Sequence, residues 1–163
     1  MGYTTKFKGE IGFNREVDGW LVDYINKFSR IRHMVLSESR IKGLFHDWKD
    51  LCFKGMLGRH GQYFIGLEDY DHRNPSMCVV NPNRWPEGCP GFYCQWVIRD
   101  NKLVWRGDEK FYDYVDWMRY LIDCFFEPEG YVLNGTIRWQ GENIEDAGYI
   151  YVVDNKVTTE RIG

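Results

Sequence analysis

Residues 3–13, YTTKFKGEIGF, alternate in polarity: Tyr3, Thr5, Phe7, Ile11 and Phe13 fall to one side, Thr4, Lys6, Lys8 and Glu10 to the other. That period of two predicts a half-buried strand, relieved at Gly9. Over residues 18–34 the spacing changes. Leu21, Tyr24 or Ile25, Phe28 and Ile31 recur at helical intervals, with Asp18 placed to cap the start. Arg30, Arg32 and His33 suit the end of that helix, where cations meet the dipole. Residues 35–90 lose any sustained period. ESRIKGLFHDWKDLCFKG allows a short helix, residues 62–67 a short strand, and the prolines Pro75, Pro82, Pro86 and Pro90 mark turns.

Order returns after residue 90. Strands over 92–98 and 102–106 flank Asp100-Asn101, a hairpin signal. Asp108 is placed to cap a helix reaching about Phe126, with Phe111, Val115, Met118, Ile122 and Phe125 as its apolar stripe and Pro128 and Gly130 as its stop. YVLNGTIRWQ reads as a strand and GYIYVVDNKVTTE as a closing hairpin. The order predicts one α+β domain over 1–163, with a ferredoxin-like βαββαβ core, a C-terminal β-hairpin, and a long irregular insert (35–90) between the first helix and the second core strand.

Right-handed crossovers put both helices of such a core on one face of the sheet. Strand alternation then sends Phe7, Ile11, Cys94, Trp96, Leu103, Trp105, Leu133, Ile137 and Trp139 to the helix side. Lys6, Lys8, Glu10, Tyr93, Gln95, Arg99, Arg106, Asn134, Thr136, Arg138, Gln140 and Glu142 go to the open side, a solvated face, a ligand platform or a dimer surface.

Composition narrows the function classes. A chain of 163 residues is long enough for one real core. Aromatics reach 17%, and such rings line clefts and interfaces as well as cores. The net charge of −3, with both signs interspersed, argues against binding nucleic acid mainly by neutralising phosphates, so RNA binding on the open sheet ranks last. The cysteines are odd in number, five, and MGYTTKFKGE has no apolar leader segment, which points to free thiols in a reducing cytosol. No run approaches membrane-spanning length, so no membrane partner is expected. MGYTTK fits a myristoylation start only loosely, because Lys6 and Phe7 read as strand.

His72, Cys78, Cys89 and Cys94 lack the paired spacing of a zinc site, and no metal or cofactor is expected. No G-x-S-x-G, H-E-x-x-H or pair of H-x-T motifs occurs. Glu109, Glu142, Glu145 and Asp146 are available for acid–base work, but turn and helix-start roles account for them equally well. The candidates for binding are more numerous. Arg30, Arg32 and His33 can clamp phosphate; Lys110, at the expected helix start, can add charge to an anion site. Trp96, Trp105, Trp139 and Tyr112 can stack on a base, while Gln95, Gln140 and Glu142 can read polar edges. The stretch RWQGEN (138–143) combines three such groups with Gly141, a glycine that marks a bulge or a close approach.

EKFYDYVDWMRYLI (109–122), GYVLNGTIRWQGE (130–142) and DAGYIYVVDN (146–155) together resemble a family of small uncharacterised phage and prophage proteins, as do PGFYCQW, YTTKFKGEI and RIRHM. Met118 departs from the leucine of that pattern and Arg106 from its aspartate. The resemblance implies a phage accessory protein expressed in the host cytoplasm and, by analogy with proteins that counter host defence, non-enzymatic capture of a nucleotide-derived signal by a homo-oligomer. Two other readings stay open: inhibition of a host defence enzyme by direct protein contact, and cleavage of the signal by Glu109 or Glu142 with His33.

Overall fold

The computed structural model describes residues 2–67 and 77–162. His72 and Pro75 lie outside them. In chain order the elements are β1 (Lys6–Phe13), α1 (Gly19–Phe28), β2 (Val35–Leu36), α2 (Glu38–Leu44), β3 (Val79–Asn81), β4 (Trp96–Arg99), β5 (Lys102–Trp105), α3 (Tyr114–Leu121), β6 (Leu133–Gln140), β7 (Ala147–Val153) and β8 (Lys156–Arg161). The protein is α+β. Its backbone divides into two compact units, residues 1–22 with 95–163, and residues 23–94.

The first unit is built on a six-stranded antiparallel sheet in the order β4-β5-β1-β6-β7-β8. Alternation is kept along β1 and β6 and lost in β4, where Trp96, Val97 and Ile98 are all buried. Phe7, Ile11, Trp96, Leu103, Leu133, Ile137 and Trp139 are buried, while Lys6, Lys8, Glu10, Asn134, Thr136 and Arg138 are exposed. Phe7 is the hub of the core. Its ring meets those of Trp96, Trp105, Phe111 and Tyr114 edge-on at 5.2, 5.4, 5.6 and 4.9 Å, the arrangement that aromatic quadrupoles favour. Burial pushes the Tyr114 phenol up to about 12, and the Asp146 carboxylate adds to the effect.

That cluster explains a difference from the sequence pattern. The last long helix does not start at Asp108; α3 begins at Tyr114, directly after Asp113 in the left-handed region (φ 55°). Phe111 is needed in the core, where it is 1% exposed, and the chain from Gly107 to Asp113 runs irregularly to deliver it. Lys110 (φ 61°) therefore sits in a loop and not in a first helical turn. Beyond Leu121 the helix widens into a π-turn over Ile122–Phe126, and Ile122, Phe125 and Phe126 are all buried there.

The second unit occupies much of the stretch read as an irregular insert, and it has its own core. Met34, Leu36, Ile41, Cys52, Leu57, Phe64 and Cys78 are buried together, with Phe45, Trp48, Leu51, Tyr63, Leu67 and Val79 packed against them. Ser37 caps α2, its hydroxyl accepting from the Arg40 amide at 3.3 Å. The strand pairing is β2 with β3, antiparallel, and residues 62–67 form no strand.

α1 ends at Phe28, short of residue 34, for a visible reason. The backbone tightens, with Arg30 N donating to Lys27 O at 3.0 Å. His33 then folds back, and its Nε2–H donates to the Phe28 carbonyl at 2.9 Å, satisfying an acceptor the helix leaves open. Arg30, Arg32 and His33 thus lie beyond the helix and not in its last turn.

Candidate ligand-binding site

The residues singled out from the sequence fall into three groups. The first surrounds Gln95, which is buried and not on an open face as the alternation predicted. Its amide accepts from Trp105 Nε1 at 3.0 Å and donates to the Glu109 carbonyl at 2.9 Å. Trp96 Nε1 donates to the Tyr114 carbonyl at 2.9 Å. These polar atoms are satisfied inside the core, where an orphan would cost about 1–3 kcal/mol.

The second group gathers around the N-terminal stretch. Glu142 accepts from the Thr4 amide at 2.7 Å, and the exposed Tyr112 hydroxyl accepts from the Tyr3 amide at 3.1 Å. Trp139 Nε1 donates to Asp146 at 3.1 Å, and Asp146 also accepts from the Tyr3 hydroxyl at 2.8 Å. Gln140 donates to the carbonyls of Gly141 (3.1 Å) and Asn143 (3.2 Å). The unusual RWQGEN stretch is therefore a built turn that fastens the N-terminus to the sheet. A Cβ on Gly141 would run into the Asp146 carboxylate and the Tyr3 hydroxyl, so the glycine marks a close approach. A shallow groove of about 330 Å³ remains beside this turn, lined by Asn143, Ile144, Glu145, Asp146 and Arg161.

The third group belongs to the unit over 23–94. Arg30 is exposed. Arg32 donates to the Pro82 carbonyl at 3.1 and 3.3 Å and lies 3.8 Å over the Phe92 ring. His33 is 3% exposed, and burial holds its pKa down at about 4. The imidazole is neutral near pH 7 and donates to the Phe28 carbonyl.

The same unit holds a cleft that the sequence reading passed over. It measures about 590 Å³, and Val35, His60, Asn83, Arg84, Trp85, Glu87 and Gly88 line it. The 82–90 segment forms one wall. Val35 N donates to the Arg84 carbonyl at 3.0 Å, extending the β2–β3 pairing, and Asn81 folds its own turn by accepting from Asn83 N at 2.9 Å. Trp85 is 42% exposed, with its ring edge-on to Phe92 at 4.9 Å and 87°. Phe92 in turn carries the Arg32 guanidinium, so the indole rests on a braced aromatic–cation stack.

The opposite contribution comes from His60. Its backbone is left-handed (φ 56°), between Gly58 (φ 70°) and Gly61 (φ 68°). Gly61 suits this turn because a Cβ there would press on Ile41 and Leu36 at 3.0 Å and the backbone is left-handed. A non-glycine residue in this region costs on the order of 1 kcal/mol, and such strain concentrates at binding sites. Arg59 and Glu87 pair at 3.0 Å, linking the 59–61 turn to the Trp85 segment across exposed surface. The cleft thus brings together an aromatic plane, a guanidinium, an amide and an imidazole. The available signal was NPNRWPEG, a tryptophan and an arginine between prolines, in a loop that had no need of a large ring.

Cys52, Cys78, Cys89, Cys94 and Cys124 form no disulfide. Among the described residues no group of His, Cys, Asp and Glu is placed to hold a metal ion, and no helix is long and apolar enough to cross a membrane. No protein-family model, curated protein or solved structure matches the chain.

Proposed function

We propose that the protein captures a nucleotide-like small molecule in the cleft of the 23–94 unit and does not turn it over. The observation that carries this reading is the convergence of Trp85, Arg84, Asn83 and His60 on one concave surface of about 590 Å³. That volume lies within the range of about 300–1,000 Å³ usual for ligand sites. An indole stacks on a base, a guanidinium holds phosphate, and an amide reads a polar edge. The left-handed backbone at His60 supports a pre-formed wall.

The wider reading is a phage accessory protein that withdraws a nucleotide-derived defence signal in the host cytoplasm, as a homo-oligomer. It is supported by the motifs over 109–122, 130–142 and 146–155. A ferredoxin-like core belongs to the same proposal. Its support is the order β4-β5-β1-β6 with antiparallel pairing throughout, to which β7 and β8 are added on one edge.

Calorimetry of the purified chain against adenosine diphosphate ribose and cyclic dinucleotides tests the capture. Binding is expected, weakened about tenfold or more in Trp85→Ala through lost stacking, with the ligand recovered intact after heat denaturation. If none of these ligands binds and heat-released extracts contain no nucleotide, the capture reading fails. A changed ligand in the released fraction favours cleavage instead.

A further inference from the structure

The sheet of the first unit has an exposed face that the cleft does not use. Strand register arranges it in rows. Lys8 lies opposite Arg138, Arg138 opposite Tyr149, and Tyr149 opposite Glu160. In the next row Glu10, Thr136, Tyr151 and Thr158 follow in the same way. Tyr149 and Tyr151 are half-buried, and their rings lie near-parallel at 24°, 5.8 Å apart.

The charge on this face is unlike that of the chain. Among the strand positions Lys6, Lys8, Arg99, Lys102, Arg138 and Lys156 share it with Glu10 and Glu160, six cations against two carboxylates, with the Asp154 carboxylate at its edge on Asn134 (3.3 Å), on a protein of net charge −3. Net charge is a sum over all faces, and here it conceals a positive one. None of Lys6, Lys8, Arg138 and Lys156 has an ion-pair partner among the described residues.

Two of the cross-strand pairs are like-charged: Lys8 with Arg138, and Arg99 with Lys102. Like charges directly opposite destabilise a sheet. Folding does not require either pair, since a threonine or glutamine suits an exposed strand equally well. An anion spanning the rows would turn the repulsion into attraction. Neighbouring strands lie about 4.8 Å apart, so the row from Lys8 through Arg138 to Tyr149 covers about 10 Å. A flexible polyanion with planar groups can follow such a row.

We propose that this face binds single-stranded nucleic acid, with Lys8 and Arg138 holding phosphates and Tyr149 and Tyr151 stacking bases. A flat, open surface with paired cations beside aromatic rings favours unpaired bases, because a duplex keeps its bases stacked on one another and offers only phosphates. The inference is independent of the cleft: each can fail without the other.

The test is fluorescence anisotropy of a labelled oligouridine about 15 nucleotides long, across a salt series, with a duplex of equal length and phosphatidylserine vesicles as competitors. Binding is expected that weakens with salt, exceeds binding to the duplex, and resists the vesicles. Tyr149→Leu keeps apolar bulk but loses stacking and should weaken binding about tenfold. Arg138→Gln should weaken it and lower the salt dependence by about one phosphate. The same substitution relieves a like-charged pair, so its thermal midpoint should hold or rise, separating loss of binding from loss of fold. No binding at low salt, preference for duplex or vesicles, or oligouridine binding unchanged in both variants would each overturn the proposal.

Discussion

His33 shows how a single residue can carry pH dependence without taking part in chemistry. Its folded pKa of about 4 lies below the ordinary value of 6.5, because burial disfavours the charged ring. The unfolded chain therefore takes up a proton first. The stability contributed is complete above about pH 6.5 and is lost as the pH falls toward about 4, up to about 3 kcal/mol. Urea unfolding at pH 7 and pH 5 should show the loss, and His33→Gln should flatten it while lowering stability at pH 7. Gly141 makes a steric prediction. Gly141→Ala places a methyl against Tyr3 and Asp146, whose mutual hydrogen bond is 2.8 Å, and should cost about 1–3 kcal/mol in thermal unfolding. In Gly141→Ala with Tyr3→Phe the losses should be less than additive, since the phenylalanine removes one of the two colliding atoms. The sequence showed that RWQGEN was unusual. It did not show why, because the explanation lies in Tyr3 and Thr4, partners more than a hundred residues away.

At the scale of elements, the hairpins and the start of α1 after Asp18 were legible, and the start of α3 was not. Asp100-Asn101 and Asp154-Asn155 both have positive φ at both positions (50° and 58°, 47° and 71°), as a tight hairpin turn needs. Local chemistry specifies such a turn, so the sequence alone reveals it. A helix start that competes with a core aromatic is decided by packing: Phe111 overrides the pattern from Asp108. The two turns also share a device. Asn101 accepts from Val17 N at 2.8 Å and donates to the Arg15 carbonyl at 3.2 Å; Asn155 accepts from Leu133 N at 2.7 Å and donates to the Tyr131 carbonyl at 2.9 Å. Glycine is the favoured residue at these positions for backbone reasons. Asn101→Gly and Asn155→Gly should nevertheless destabilise, by about 1–2 kcal/mol each, since two hydrogen bonds are lost at either site. Chemical denaturation of each variant beside Asp100→Asn, expected near neutral, distinguishes side-chain anchoring from backbone preference.

For the whole molecule, the main departure from the sequence pattern is the organisation of residues 23–94. Within it, residues 35–90 show no sustained period because their elements are short, β2 and β3 having two and three residues, too few for periodicity to register. Yet the segment buries an apolar cluster that includes Met34, Ile41, Leu57 and Phe64. A unit with its own core can open on its own, at a free energy set by that core. Phe64 is 2% exposed, its ring 5.0 Å from that of Phe45, with no part in the sheet of the first unit. Phe64→Ala should cost about 3–5 kcal/mol, the usual loss for an emptied aromatic site. The consequence is regional. Hydrogen exchange followed peptide by peptide should lose protection over 23–94 in this variant, while β6 and β7 stay protected. Equal loss across both units would mean that the two cores unfold as one. If the loss is confined, ligand binding in the cleft should restore protection over 23–94 alone, because a ligand stabilises the unit that forms its site in proportion to its affinity for the folded form.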